Sequence, residues 1–73
     1  MNRHPEIRYR RTENMVECRL RGARIAYASA MKDGRWQLRC NGDDYPSWHD
    51  DYESALREMV GWARRFAWAQ TRR

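Results

Sequence analysis

Side chains able to run covalent or acid–base chemistry are few and scattered in this chain. His4 and His49 stand far apart, and neither is embedded in a recognisable motif. Ser29, Ser47 and Ser54 lack the Gly-x-Ser-x-Gly setting of a nucleophile elbow, and no phosphate loop or His-Glu-x-x-His helix is present. The carboxylates Asp43, Asp44, Asp50 and Asp51 could be drawn as a divalent-metal cluster. They have no EF-hand spacing, however, and fit turn chemistry and a helix cap better. Cys18 and Cys40 form no CxxC pair, and two thiols cannot make a zinc site unaided. Both fall on the apolar side of a strand pattern, so two reduced, buried thiols are expected. The sequence therefore predicts no enzyme, no metal and no cofactor.

What the chain holds in quantity is guanidinium. All but Lys32 of its 15 basic residues are arginine, against 10 acids, which leaves a formal charge of +5. Guanidinium binds phosphate and carboxylate bidentately and stacks on aromatic rings, whereas an ammonium acts as a point charge. An anionic partner is implied, with nucleic acid first and an acidic protein surface second. A GC-rich genome can produce the same bias, and for any single arginine a solvated sheet face is the plain alternative.

The elements that would carry these arginines can be read from alternation. Asp33-Gly34 and Asn41-Gly42 are dipeptides suited to the positive φ angles of two-residue hairpin turns. Between them Arg35, Gln37 and Arg39 alternate with Trp36, Leu38 and Cys40, a strand with one guanidinium face and one apolar face. Val16, Cys18 and Leu20 alternate with Glu17, Arg19 and Arg21 in the same way. Gly22-Ala23 marks a turn or bulge. Along 24–31, Ile25 and Tyr27 are placed on one side, with Ala26, Ala28 and Ala30 leaving the arginine side flat. A last short segment ends at Trp48, and Pro46, lacking an N–H, assigns it to a sheet edge. Residues 1–14, rich in Arg3, Arg8, Arg10 and Arg11, read as a basic arm in which Ile7 and Tyr9 could seat an edge strand.

After Trp48 the period changes from two to 3.6. Asp50 and Glu53 have the spacing of a capping box, and the pattern predicts a helix from about Asp51 to Ala69. Tyr52, Ala55, Leu56, Met59, Ala63, Phe66 and Ala67 form one stripe, bordered by Val60 and Trp62, to pack on the sheet. The fold class is α+β: an antiparallel meander of three or four strands followed by one C-terminal helix, with 15–73 as a single small domain. The opposite helix side gathers Arg57, Gly61, Arg64, Arg65, Trp68 and Arg72, a second candidate surface, and Arg64, Arg65 and Arg72 suit the negative end of the helix dipole.

The order Asp33-Gly34-Arg35-Trp36, an alternating strand, Trp48, then Glu53-Ser54-Ala55 opening the helix resembles the small three-stranded-sheet-plus-helix domains of the AP2 and integrase arm-binding type. The likeness spans Ala23 to Ala63. It implies DNA contact by outward sheet residues, here Arg35, Gln37 and Arg39; the acidic Asp43-Asp44 loop and Pro46 depart from that pattern. The expected function is that of a small nucleic-acid-binding accessory protein of phage or mobile-element type. Duplex DNA would be held by Arg19, Arg21, Arg35, Gln37 and Arg39. The alternative is an inhibitor or interaction protein that binds a host enzyme or defence complex through Arg57, Arg64, Arg65 and Trp68, with no nucleic-acid contact. A homodimer is a further option. With no apolar run suited to a signal peptide or a membrane span, a cytoplasmic protein without a membrane partner is expected.

Overall fold

The computed structural model describes residues 6–71 and is an α+β fold. Strands β1 (Ile7–Arg11), β2 (Met15–Leu20), β3 (Ala23–Ala30), β4 (Trp36–Cys40) and β5 (Ser47–His49) lie side by side in chain order, every pair antiparallel. Helix α1 (Tyr52–Thr71) packs on one face of this sheet. The meander thus has five strands, because Ile7–Arg11 pairs along β2 as an edge strand and buries Ile7 in the core. Arg3, His4 and Arg72 lie outside the described residues.

The tightest turn joins β2 to β3. Arg21 and Gly22 have φ of 54° and 85°, the two successive left-handed residues of a type I′ hairpin, whose twist matches that of the flanking strands. The two turns expected to be of this kind are different. In the β3–β4 connection the Gly34 N–H donates to the Met31 carbonyl, and Gly34 alone takes positive φ (90°). That is a type I turn closed by a left-handed glycine, with Met31 and Arg35 paired beneath it. After β4, the Asp43 N–H donates to the Cys40 carbonyl and only Gly42 is left-handed, at 89°. This opens a longer loop to β5.

Residues directly opposite in an antiparallel pair share a face, so the register assigns the faces. Tyr9 pairs with Cys18, Val16 with Ala28, Cys18 with Ala26, Ala28 with Leu38 and Ala30 with Trp36. All of these face the helix. The three alanines therefore lie inside, not between the arginines as the alternation predicted, and Tyr27 lies outside, opposite Arg39. The cause is a bulge. Cys18 pairs with Ala26 but Arg19 with Arg24, so Ile25 is an extra residue and the parity of β3 changes there. Ile25 and Ala26 are consecutive yet both buried.

Helix α1 begins at Asp51, whose Oδ1 accepts the Ser54 N–H at 2.8 Å, while the Asp51 carbonyl accepts from Ala55. The cap is Asp51, one residue later than the Asp50–Glu53 box predicted, and Ser54 holds the position assigned to Glu53. The helix also runs on to Thr71, so Arg64 and Arg65 precede its last turn. Ala55, Met59, Ala63 and Ala67, four residues apart, are fully buried. They share one buried core with Ala26 and Ala28, the small residues that β3 turns toward the helix. Tyr52 closes one end. Its ring meets Trp36 edge-on at 5.2 Å, and the Arg11 guanidinium lies 3.7 Å from its centroid. Trp62 and Phe66 stack at 4.8 Å on the helix flank and pack against the core.

Candidate nucleic-acid interface

The face of the sheet away from the helix carries the arginines. By register it presents Arg8 and Arg10 from β1, Glu17 and Arg19 from β2, Arg24, Tyr27 and Ser29 from β3, Gln37 and Arg39 from β4, and Trp48 from β5. Arg35, at the entry to β4, reaches the same face, with its guanidinium 4.4 Å from the Trp48 ring centroid. Arg24 lies over Tyr27 at the same distance. Each of these arginines lies over a ring face, within the range at which guanidinium and π-face attract one another.

Glu17 is the carboxylate at the centre of this face. The residue is only 6% exposed, because the long arms of its neighbours cover it. Arg19 Nε donates to Glu17 Oε2 at 2.8 Å, Arg24 Nη1 lies 4.0 Å from Oε1, and Arg10 is directly opposite in the register. The hydrogen bond from Arg19 is the main reason the Glu17 carboxyl sits below the usual carboxylate range; burial opposes it, and the charges of Arg19, Arg24 and Arg10 add to it. Arg19 also donates to the Gly22 carbonyl at 2.8 Å. Arg10, Thr12, Met15, Glu17 and Arg19 line a shallow groove of about 250 Å³ on this side. Arg8 and Arg19 stand directly opposite each other. A like-charge cross-strand pair is destabilising in the free protein.

Of the residues predicted for this surface, Arg19, Arg35, Gln37 and Arg39 are brought together. Arg21 is not. The type I′ turn takes it off the sheet, and its Nε donates to Glu6 Oε1 at 2.7 Å, tethering the start of β1. Alternation had counted Arg21 as one more strand position, which the turn ends. Arg8, Arg10, Arg24, Tyr27, Trp48 and Glu17 were not assigned to this surface. The unbroken apolar run Ile25-Ala26-Tyr27-Ala28, which fixes no alternation of its own, was the available sign that parity could change there, as the bulge that turns Tyr27 outward does.

The second predicted surface lies along the back of the helix. Arg57 and Arg65 are exposed, while Arg64 and Trp68 are half-buried. Gly61 lies among them, with the Arg65 guanidinium 3.4 Å from where its Cβ would be. Among the described residues no group of three or more His, Cys, Asp or Glu is arranged to hold a metal ion, and no helix is long and apolar enough to cross a membrane. Comparison with protein families, curated proteins and solved structures finds no match to this chain.

Proposed function

We propose that this protein binds nucleic acid through the helix-free face of its sheet. The observation that carries the reading is the arrangement of Arg8, Arg10, Arg19, Arg24, Arg35 and Arg39 on one surface, where among the described residues Glu17 is the one acid at the centre and Asp33 pairs with Arg35 at the margin. Their charge is only partly met from within the protein. Arg10 and Arg39 make no ion pair within 4 Å among the described residues. A row of phosphates supplies the counter-charge that this face lacks, and guanidinium forks match phosphate oxygens in pairs. Strand spacing sets the guanidiniums in a fixed array, so the backbone contacts give register as well as attraction. Arg35, Gln37 and Arg39 are the side chains placed to reach bases.

The test is a titration of labelled duplex and single-stranded oligonucleotides against wild type, Arg10→Ala, Arg39→Ala and an Arg57→Ala/Arg65→Ala control at several salt concentrations. Each sheet-face variant should lower the magnitude of the log K versus log salt slope, by roughly 0.9 per lost contact on duplex and 0.7 on a single strand. The helix variant should leave both slopes unchanged. Absence of wild-type binding to either form at low salt refutes the reading. So does a helix variant that costs as much as the sheet variants, an outcome that would move the interface to Arg57, Arg64, Arg65 and Trp68.

A further inference from the structure

Phosphate attraction explains the arginines but not the two rings beneath them. Tyr27 and Trp48 lie on the face that water reaches, and Trp48 is 43% exposed where a small polar residue would suffice for the fold. Each carries a guanidinium across its ring. The side chains of Arg24 and Arg35 are themselves 45% and 49% exposed, so each stack ends on a guanidinium that is open to solvent. Gln37, directly opposite Trp48, lies on the strand between the two rings and on the same face.

Register fixes the distance between the stacks. Tyr27 is opposite Arg39 and Trp48 opposite Gln37, so the rings are two strands apart and two residues offset along them. With strands about 4.8 Å apart and a rise of about 3.4 Å per residue, the two positions are separated by about 12 Å. Bases in a duplex rise about 3.4 Å per step, and their faces are covered by their neighbours. Away from its ends, a duplex has no bare base face to offer to either stack. An unpaired strand can offer one to each, with the intervening backbone crossing the arginines.

Resting on the nucleic-acid reading above, we propose that the Arg24–Tyr27 and Arg35–Trp48 pairs are stacking platforms for two unpaired bases, and that the face prefers single-stranded nucleic acid over duplex. Aromatic rings and arginine planes both stack on splayed bases, and the attraction tolerates any sequence because every base has a π-face. Gln37, with an amide that both donates and accepts, is placed to meet the edge of a base lying between them.

The experiment measures binding of a labelled 12-nucleotide single strand, the same strand with abasic sites throughout, and the corresponding duplex. Wild type should bind the single strand at least about tenfold tighter than the duplex. The abasic strand keeps every phosphate and should bind about 5- to 140-fold more weakly for each base whose stacking is lost. Trp48→Ala should lose a factor in that range on the single strand and a smaller one on duplex, where only the positioning of Arg35 is lost, and Trp48→Phe should restore most of the single-strand loss. Equal binding of intact and abasic strands overturns the proposal without any variant having to fold, and so does wild-type affinity for duplex that equals or exceeds that for single strand. Either result leaves phosphate binding by the same face standing, whereas no binding to any of the three probes refutes both readings.

Discussion

Ala28 offers the sharpest test of which face of β3 is which. It lies at the middle of the central strand, between Val16 and Leu38 in the register, and is fully buried beneath the helix. The helix residues in the same core, Ala55, Met59 and Ala63, are all fully buried, and Met59 is among the largest side chains so enclosed. Replacing Ala28 by Leu adds three carbons where neither layer has room. Overpacking of this kind costs about 1–3 kcal/mol. A 73-residue domain has roughly 4–11 kcal/mol in total, at about 0.05–0.15 kcal/mol per residue. The substitution should therefore remove a sizeable part of the stability and lower Tm by about 4–24 °C, at 4–8 °C per kcal/mol for a domain of this size.

The comparison that gives this number its meaning is Ser29→Leu, one residue along the strand. Ser29 pairs with Met15 and Gln37 on the helix-free face, where a surface change is usually worth no more than about 0.5 kcal/mol. Thermal unfolding followed by circular dichroism, with urea titration to verify an unchanged m-value, distinguishes the two. If Ala28→Leu melted within about 2 °C of wild type while Ser29→Leu lost stability, β3 would be packed the other way round. The whole assignment of the arginine face would fall with it.

Asp51→Ala should lower Tm by about 4–8 °C through loss of the N-cap, and Asp50→Ala should change it little; the reverse order would place the cap one residue earlier. Cys18 and Cys40 should both label slowly, because burial raises each thiol to about 11 and leaves about 0.1% thiolate at pH 8, against roughly a quarter for a free cysteine. Cys40, half-buried rather than buried as the alternation predicted, should react before Cys18, and a Cys18 that reacts first would contradict the register of β2. Glu17→Gln should bind nucleic acid more tightly and with a steeper salt slope, since Arg19 and Arg24 would no longer face a carboxylate; weaker binding would show that Glu17 positions them instead. The depressed pKa values of Glu17, Asp33 and Asp51 mean that the stability they add is complete above the ordinary carboxylate range and is lost as pH falls through their lowered folded values. A Tm-versus-pH curve should accordingly be flat from about pH 5 to 7 and fall below about 4, and Glu17→Gln should make that fall shallower.

How much of this was legible depended on whether the pattern stayed in phase. β2 and β4 alternate without interruption, and so Val16, Cys18, Leu20, Trp36 and Leu38 could be assigned to the core from sequence, and Arg19, Gln37 and Arg39 to the other side. The helix was equally plain, because its apolar residues keep a 3.6 period over five turns. Phase failed at two places. At Ile25 one inserted residue reverses the parity of the segment, and alternation carried forward from it gives the wrong face to the alanines and Tyr27. At Arg21 a non-glycine residue takes a left-handed conformation, which composition rarely signals, so a turn position was counted as strand. Both errors bear on the interface, since one hid an aromatic on the outer face and the other added an arginine to it.

The same bulge connects the fold to the proposed surface. Because Ile25 takes the extra position, the alanines of β3 are turned into the core that they share with Ala55, Met59, Ala63 and Ala67 of the helix. The larger side chain of that strand, Tyr27, is turned to the other face, beside Arg24 and opposite Arg39. An outer face made of Arg8, Arg10, Arg19, Arg24 and Arg39 alone would repel itself, and strand pairing would have to overcome that repulsion during folding. Glu17 and the two rings lessen it in different ways. The carboxylate neutralises part of the charge and so competes with any phosphate that arrives, whereas a ring holds a guanidinium by its face and leaves the N–H edges available. Arg24 has both partners, and Arg35 has Asp33 at 2.8 Å together with Trp48. In each case the ring would still hold the arginine at the sheet if a phosphate displaced the carboxylate, so the proposed binding would not require the surface that carries it to become disordered.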